Sequence, residues 1–381
     1  MRTTGVARLL STARGRAGLV VVTILAVVGG CALWGGGEHA GPVRPSGTPT
    51  PTLTPTMTPT PTATATPSKA ASGDGAVSMK GRAPLTGEPT GHALDHPAVT
   101  VKVSNTPDAH PQRGLGDADI VFVEPITGAT TRLAAIFHSR LPDQVGPVRS
   151  LRPMDAALIG PTKGVIADTM AAGWVLRYVD RVADLADLGT LRVPRGTYRI
   201  DSSRRAPNHV FAHPRKLLAL TDRTAPPTPY FSYAANVARS SAQLGGRPAG
   251  SATIGYGGSS TATWRYDRGT GRWLRAEKWS PHRLEGGKQV SARNVIVLRA
   301  ERDTSFKPAK ASMTILDVVD ASGSLQLFTG DKVVAGRWSK RGVNEPFTFT
   351  TTTGKPLLLA PGTTWVECAL TTMAVQISST M

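Results

Sequence analysis

Apolar and polar residues follow two different patterns along this chain. In the first half, Ala98–Asn105 alternates and is β-branched, which predicts a strand. Residues 119–126 form the nearly continuous apolar run of a buried strand, and residues 131–139 predict another. In residues 174–188 the apolar positions recur every three or four residues, which predicts a helix. Strands that alternate with helices are typical of an α/β layer.

After about residue 220 the pattern changes to short alternating segments. Turn sequences such as DRGTG and ASGS separate them, and the segment TAPPTP marks the change. Regular short strands of this kind predict a curled sheet or a sandwich. We therefore expect an α+β protein in which an N-terminal α/β layered lobe (81–222) precedes a separable, β-rich C-terminal lobe (223–381).

The first 31 residues have the pattern of an export signal. Four arginines precede the apolar run AGLVVVTILAVVGG, which ends at Cys31. Small residues directly before a cysteine are what lipoprotein processing requires, and the thiol then takes the lipid. A signal anchor or a membrane-spanning helix is the alternative, but the run is shorter than the roughly 20 residues that cross a bilayer. We expect residues 1–31 to be a lipoprotein signal segment, with the mature chain lipid-anchored at the extracytoplasmic face of the cell membrane.

Residues 32–80 are dominated by proline, threonine, alanine and serine. Such a composition buries too little apolar surface to offset chain entropy, and it predicts a disordered stalk. Only two cysteines occur, Cys31 and Cys368. Lipidation of the first leaves no internal disulfide, so the head must be held by its core, and we expect Cys368 to be a core thiol.

The chain carries a formal net charge of +18. This charge favours an anionic partner such as lipid or wall polymer, and general adhesion to an acidic envelope is the alternative. Aromatic-basic interleaving and helix-turn-helix patterns do not occur, so we expect no nucleic acid partner.

Catalytic and cofactor motifs are weak in this sequence. No G-x-S-x-G elbow and no phosphate-binding lysine loop occurs. His92, Asp95 and His96 have a metal-like spacing, but Pro97 disfavours the helix that would bring them together. We expect no metal and no cofactor, and the sequence leaves open whether the protein is an enzyme.

Two arginine-proline loops are the strongest chemical signal. VGPVRSLRP (145–153) holds one pair of arginines, and YRIDSSRRAPNHVF (198–211) holds another group. Arginine binds carboxylate or phosphate with two parallel hydrogen bonds, and proline keeps a loop stiff. The alternative is internal ion pairing, of Arg149 with Asp155 or Asp143 and of Arg204 with Asp201. The candidate ligand-binding residues are Arg132, Arg149, Arg152, Arg199, Arg204, Asn208 and His209.

The head resembles the YerB-like bacterial lipoproteins, a family whose domains have no known function. The stretches that carry the resemblance occur in one order along the chain: PLTG, VKVSN, PQRGLGDADIVFVE, TRLAAIFHS, VGPVRSLRP, YRIDSSRRAPNHVF, QVSARNVIVL and PGTTWVE. The resemblance implies an envelope lipoprotein and supplies no reaction.

Three functions are compatible with these features. The first is a membrane-anchored, non-enzymatic envelope lipoprotein that binds an anionic or glycan ligand, such as an anionic wall polymer. The second is an envelope hydrolase that uses Asp and His residues. The third is a scaffold for another envelope protein.

Replacement of the predicted lipid-bearing residue, Cys31→Ala, tests the anchor. We expect the variant to remain unprocessed or to be released from the membrane, because only the thiol can take the lipid. Fractionation and gel migration measure both effects. A variant that fractionates and migrates like the wild type contradicts the prediction.

Overall fold

The computed structural model of the protein describes residues 75–258, 260–306 and 313–380. The predicted signal segment (1–31) with Cys31 lies outside the described residues, as does the predicted stalk (32–80) before residue 75. Within the described part of the chain, no helix combines the length and the apolar character needed to span a bilayer.

Strands make up 38% of the structure and helices 12%, so the fold is mainly β. The strands are β1 (Val99–Ser104), β2 (Ile120–Ile126), β3 (Thr130–Phe137), β4 (Val165–Ala167), β5 (Ala186–Asp187), β6 (Arg199–Ile200), β7 (Val210–Phe211), β8 (Ser232–Tyr233), β9 (Arg247–Pro248), β10 (Ser251–Gly257), β11 (Ser260–Asp267), β12 (Arg272–Glu277), β13 (Ser291–Ala292), β14 (Asn294–Ala300), β15 (Ala321–Thr329), β16 (Lys332–Lys340), β17 (Thr348–Thr351), β18 (Leu358–Leu359), β19 (Thr364–Leu370) and β20 (Val375–Ser378). The α-helices are α1 (Asp155–Ile159), α2 (Gly173–Val182), α3 (Pro214–Leu218) and α4 (Ser241–Gly245). Single 3-10 turns cover Pro107–Ala109, Leu115–Asp117, Gly160–Thr162 and Val237–Arg239.

A central sheet combines strands from both halves of the chain. Its order is β17-β16-β15-β14-β19-β2-β3-β1-β4-β5, with β9 beside β16. β19 pairs in parallel with β14 on one side and with β2 on the other. This arrangement corrects the prediction of separable lobes at 81–222 and 223–381. Alternation within a segment identifies a strand, but it does not identify the distant segment with which that strand pairs.

The two faces of the central sheet are covered differently. One face packs against α1, α2 and the segment 230–233, and the other against a five-stranded sheet of order β13-β12-β11-β10-β20. The strands predicted first along the chain match β1, β2 and β3 closely. An α/β layered N-terminal lobe is not confirmed. The helix predicted over 174–188 ends at Val182 because Ala186–Asp187 adds β5 to the sheet.

The strand directions gather several loops at one edge of the sheet. β1, β2, β4, β5, β14 and β19 run in the same direction, and β3 runs against them. The C-terminal ends of these six strands and the beginning of β3 therefore lie at one edge of the sheet, which we call the carboxyl edge. Loops at such an edge are where open sheets commonly bind ligands.

The described chain enters the head at the opposite edge, which we call the amino edge. The amide of Val77 donates to the carbonyl of Tyr233 over 2.9 Å, and Tyr233 pairs with Leu359 in the short β8–β18 ladder. The next residue, Ala360, accepts from Asn294 at the beginning of β14 (2.8 Å).

A buried arginine ties the two sheets together. Arg275 of β12 is fully buried; its Nε donates to Glu367 of β19 over 3.0 Å, and its Nη1 to Glu277. Glu367 also accepts from Tyr256 (2.6 Å) and Trp264 (2.8 Å) of the smaller sheet. Burial lowers the pKa of Arg275, but the two carboxylates outweigh burial and the net pKa is raised. The guanidinium therefore stays charged between the sheets.

Replacement of this arginine, Arg275→Leu, should destabilise the fold by about 3–5 kcal/mol, because it leaves two buried carboxylates without their cation. Chemical denaturation measures the loss. The exposed Arg265 of the neighbouring β11 is a matched control, and Arg265→Leu should change stability by less than about 0.5 kcal/mol. Equal stability of the two variants would contradict a structural role for Arg275.

Candidate functional site

Arg132 lies at the carboxyl edge with donors that nothing in the described structure uses. It stands opposite Ser104 of β1 and Glu124 of β2, and its residue is only 3% exposed. Its Nε and Nη1 are buried without a hydrogen-bond partner among the described residues. Burial, and then the charges of Arg152 and Arg149, lower its pKa to about 9. Buried donors are almost always hydrogen-bonded in proteins, so the two unpaired donors make Arg132 a candidate for ligand binding.

The loop after Val148 brings two more arginines to Arg132. The amide of Arg149 donates to the Lys102 carbonyl over 2.8 Å, which fixes the loop against β1. Burial, and then Arg152, lower the pKa of Arg149, and its Nε is also buried and unpaired within the described residues. Arg152 donates one guanidinium hydrogen to the Leu151 carbonyl (2.8 Å).

The ion pairs proposed for Arg149 do not form among the described residues. The carboxylate of Asp155 instead contacts Lys102 Nζ and accepts from the backbone amide of Arg152 (2.7 Å). Asp143 contributes its carbonyl to His213 (2.8 Å). Within the described chain, no ion pair neutralises the guanidinium of Arg149.

A buried ion cluster lies beneath the arginines. Lys102 Nζ is 2.7 Å from Glu124 Oε1 and also contacts Asp155, and all three side chains are fully buried. Burial, and then Asp155, raise the pKa of Glu124, while Lys102 opposes the shift, leaving it at about 8. Near neutral pH, Glu124 therefore keeps its proton, which reduces the negative charge of the ion cluster. Positive charge therefore exceeds negative charge around Arg132.

The second predicted loop (198–211) contributes one residue, Asn208, near Arg149. Asn208 Nδ2 donates to Asp108 over 2.8 Å, and Asp108 is close enough to Arg149 to raise its pKa. Asn208 Oδ1 and His209 Nδ1 are buried without a hydrogen-bond partner in the described part of the chain. We call Arg132, Arg149, Arg152 and Asn208 the arginine site.

Arg204 supports a loop and does not join the arginine site. Its guanidinium donates to the carbonyls of Ala109 (3.1 Å) and Pro111 (2.6 Å). The Arg204–Asp201 ion pair does not form either, because Asp201 faces Arg113 at 3.6 Å. Arg204 therefore holds the chain between β1 and β2 in place.

The remaining candidates are Arg199 and His209. Arg199 is exposed on the short strand β6, which pairs with β7. His209 follows Asn208, and its carbonyl accepts from the amide of Asp201 over 2.8 Å. Both residues are near the site in sequence, and only His209 has a buried polar atom without a partner among the described residues.

A pair of carboxyl groups adjoins the arginine loop. Asp168 follows β4 and is 1% exposed. The next residue, Thr169, contacts the loop that holds Arg149 and Arg152, since its amide donates to the Arg149 carbonyl (3.3 Å). Burial, and then Asp187, raise the pKa of Asp168 to about 9. Two buried carboxyl groups that face each other share a proton.

A hydrogen-bond network lies on the other face of the sheet at the same edge. Asn105 donates to Glu277 (2.8 Å) and to Thr131 (2.7 Å), and its Oδ1 is 3.2 Å from His110 Nε2. Sequence reasoning did not include these residues, since they are isolated polar positions in four separate segments. The signal that could have indicated Asn105 is its position at the end of a buried strand.

The described residues contain no group of three or more His, Cys, Asp or Glu side chains arranged to hold a metal ion. His92, Asp95 and His96 lie on a loop at the amino edge, and His96 Nδ1 bonds the Pro97 carbonyl (2.9 Å).

Comparison with known families identifies this architecture. Residues 85–227 match the N-terminal domain of a protein of unknown function, DUF3048, and residues 252–366 match its C-terminal domain. The chain belongs to the DUF3048 family. The resemblance to YerB-like proteins is thereby confirmed, and the two family domains share one central sheet in this DUF3048 protein.

Two relatives share parts of this chain. A Bacillus subtilis (strain 168) protein named "Putative lipoprotein YerB" is 49% identical over 74 residues, which is 19% of this chain and 22% of that protein. The matched segment thus spans about a fifth of that relative. The crystal structure of YerB protein from Bacillus subtilis has a TM-score of 0.66 at 21% identity and covers 77% of this chain and 99% of that one. At this identity the likeness establishes the fold alone.

The shared proton predicts a pH dependence of stability. The pKa of Asp168 is about 9 in the folded state and about 4 in an unfolded chain. The folded state therefore keeps a proton that the unfolded state releases, and stability falls as the pH rises through this interval. Asp168→Asn should flatten that fall by up to about 1.4 kcal/mol per pH unit, because its amide can donate to Asp187 at every pH.

Denaturation curves at intervals between pH 5 and pH 9 measure the slope. Asp143→Asn changes an exposed carboxylate and should leave the slope as in the wild type. The same slope in Asp168→Asn and in the wild type would show that the two carboxyl groups do not share a proton.

Proposed function

We propose that this protein is a lipid-anchored lipoprotein of the cell envelope whose head binds an anionic ligand at the arginine site. The observation that carries the proposal is the state of Arg132. This residue is only 3% exposed, and its Nε and Nη1 donors have no hydrogen-bond partner among the described residues. The proposal is one of binding and does not require a reaction.

Energetics support a ligand at this place. An unsatisfied buried donor costs about 1–3 kcal/mol, and more when it is charged. Arg132 carries this cost twice, and Arg149 adds a third unpaired donor. A carboxylate or phosphate accepts two parallel hydrogen bonds from one guanidinium, so a single anion removes several of these penalties.

Anchoring is supported by the export signal that ends at Cys31 and by the lipoprotein name of the YerB relative. A chain that is exported and held at the extracytoplasmic face of the membrane would meet anionic wall polymers and glycans. The strongly positive charge of the chain suits these polymers.

The hydrolase and scaffold alternatives receive less support. The acid pair Asp168–Asp187 adjoins the arginine loop, but the side chain of Asp168 is buried against the backbone of Gly189. A carboxyl group covered in this way does not reach a substrate. The large exposed apolar side chains belong to segments that are separate along the chain, whereas a docking surface for a protein is contiguous.

The Arg132→Met variant distinguishes a ligand-binding role of Arg132 from a structural one. At a binding site, methionine removes an uncompensated buried charge, so the unliganded variant should be as stable as the wild type or more stable. The wild type should gain stability with inorganic phosphate or a soluble anionic wall polymer, by about 2.7 kcal/mol at one hundred times Kd, and the variant should not. Thermal melting with and without each probe measures both effects.

Arg199→Met is the matched control, because Arg199 is exposed on β6 outside the arginine site. This variant should keep the wild-type response to the probes. A large loss of stability in unliganded Arg132→Met, together with no response of the wild type to any anion, would identify Arg132 as structural.

A further inference from the structure

We propose that Trp279 and His110 form a second subsite, which holds a sugar ring of the ligand whose charged group lies at the arginine site. This inference rests on the proposed function and names the ligand class: a glycan that carries carboxylate or phosphate groups. Nothing in the family description assigns a role to either residue.

Trp279 presents an aromatic face to solvent. It lies in the turn after β12 and is 37% exposed, although tryptophan is a residue that folding normally buries. The turn is closed by a hydrogen bond from the Glu277 amide to the Ser280 carbonyl (2.9 Å). The ring of His110 meets the indole edge to face, with centroids 5.7 Å apart. The indole is therefore held in place while one part of it stays uncovered.

A hydrogen-bond network holds one edge of the His110 ring. His282 Nε2 faces Gln112 Oε1 at 2.8 Å, so the amide nitrogen of Gln112 points the other way, to Ser104 O (3.1 Å), Asn105 Oδ1 (3.2 Å) and His110 Nε2 (3.2 Å). His110 Nε2 is also 3.2 Å from Asn105 Oδ1. The Nε2 atom of His110 therefore faces the protein, and its Nδ1 atom can form a hydrogen bond with a hydroxyl group in either tautomer.

His110 remains neutral at physiological pH. Burial, and then the charges of Arg275 and Arg204, lower its pKa to about 4. A neutral imidazole with an acceptor nitrogen takes a hydrogen bond from a hydroxyl group and does not attract an anion. This chemistry differs from that of the arginine site.

One loop connects the two subsites. Ser104 and Asn105 are consecutive and point to opposite faces of the sheet, so the first stands opposite Arg132 and the second holds His110. The residues between them and β2 include Asp108, which bonds Asn208 of the arginine site. The charged and the uncharged subsites thus flank the same turn, residues 106–111, and the proposed ligand would extend around it.

A sugar ring fits the chemistry of this second subsite. A pyranose has a face of C–H groups that packs on an aromatic ring, and hydroxyl groups at its rim that donate to an acceptor. Binding sites generally combine an apolar surface with a few placed polar groups in this way. A sugar that also carries carboxylate or phosphate would occupy both subsites together.

Titration with three probes tests the proposal: an oligosaccharide of uronic acids, a neutral oligosaccharide of N-acetylglucosamine, and inorganic phosphate. The wild type should bind the uronic acid oligosaccharide at least about tenfold more tightly than phosphate, and Trp279→Ala should remove about tenfold of that affinity. Phosphate binding should depend on Arg132 and not on Trp279. Calorimetry measures affinity, and thermal melting verifies that each variant is folded.

Two further variants make the result specific. Trp279→Phe keeps an aromatic face and should retain most of the affinity, whereas His110→Ala should weaken the uronic acid oligosaccharide. Leu244→Ala removes another exposed apolar side chain, which is 65% exposed on a separate helix, and should bind all probes like the wild type.

The outcomes separate the two proposals. If Trp279→Ala binds the uronic acid oligosaccharide like the wild type while Arg132→Met does not, the sugar subsite is wrong and the anionic site stands. If neither variant changes binding, both are wrong. If the neutral oligosaccharide binds through Trp279 as tightly as the uronic acid oligosaccharide, the charge of the sugar does not matter and the assignment of an anionic glycan is overturned.

Discussion

The contact between Arg275 and Glu367 holds the two sheets together and helps to position the turn between β1 and β2. It joins β12 of the smaller sheet to the central strand β19 through a hydrogen bond of 3.0 Å from Arg275 Nε to Glu367. The same guanidinium contacts His282 Nδ1 over 2.8 Å, and His282 in turn holds Gln112. The position of the turn between β1 and β2 therefore follows from how the two sheets are joined. A site assembled from such loops is preorganised, because a distant ion pair has already fixed its geometry.

Buried cations in this fold fall into two groups with different roles. Arg275 and Lys102 are buried and paired with carboxylates, and Lys340 donates to three backbone carbonyls, although Arg275 Nη2 is itself buried without a hydrogen-bond partner among the described residues. Arg132 is buried and Arg149 is half-buried, and among the described residues both retain unpaired donors and neither is paired with a carboxylate. A fold that supplies carboxylates to several buried cations could have supplied them here. This lack of a carboxylate partner supports the proposal that an anionic ligand binds at the arginine site.

The sequence predicts local features of this protein well and pairings poorly. Alternation and burial located β1, β2 and β3, since each strand's pattern lies within its own residues. The two arginines that lie between prolines in the sequence indicated the loop of Arg149 and Arg152 for the same reason. No local pattern shows that β19 joins the two halves, or that Asp168 meets Asp187, because strand pairing alone brings them together. Arg204 was grouped with the site by its neighbours in sequence, yet its donors serve the carbonyls of Ala109 and Pro111.

The entry of the chain at the amino edge has a mechanical consequence. The arginine site lies at the far end of the same strands, so a tether and a bound polymer would pull on opposite ends of β1, β2 and β19. Tension would then run lengthwise along the strands, across hydrogen bonds that lie roughly perpendicular to it. A sheet loaded in this direction must slide all the hydrogen bonds of a strand at once and cannot open them one by one. Under the proposed function, the head would carry load along its strands between the tether and the bound polymer, without unravelling from either end.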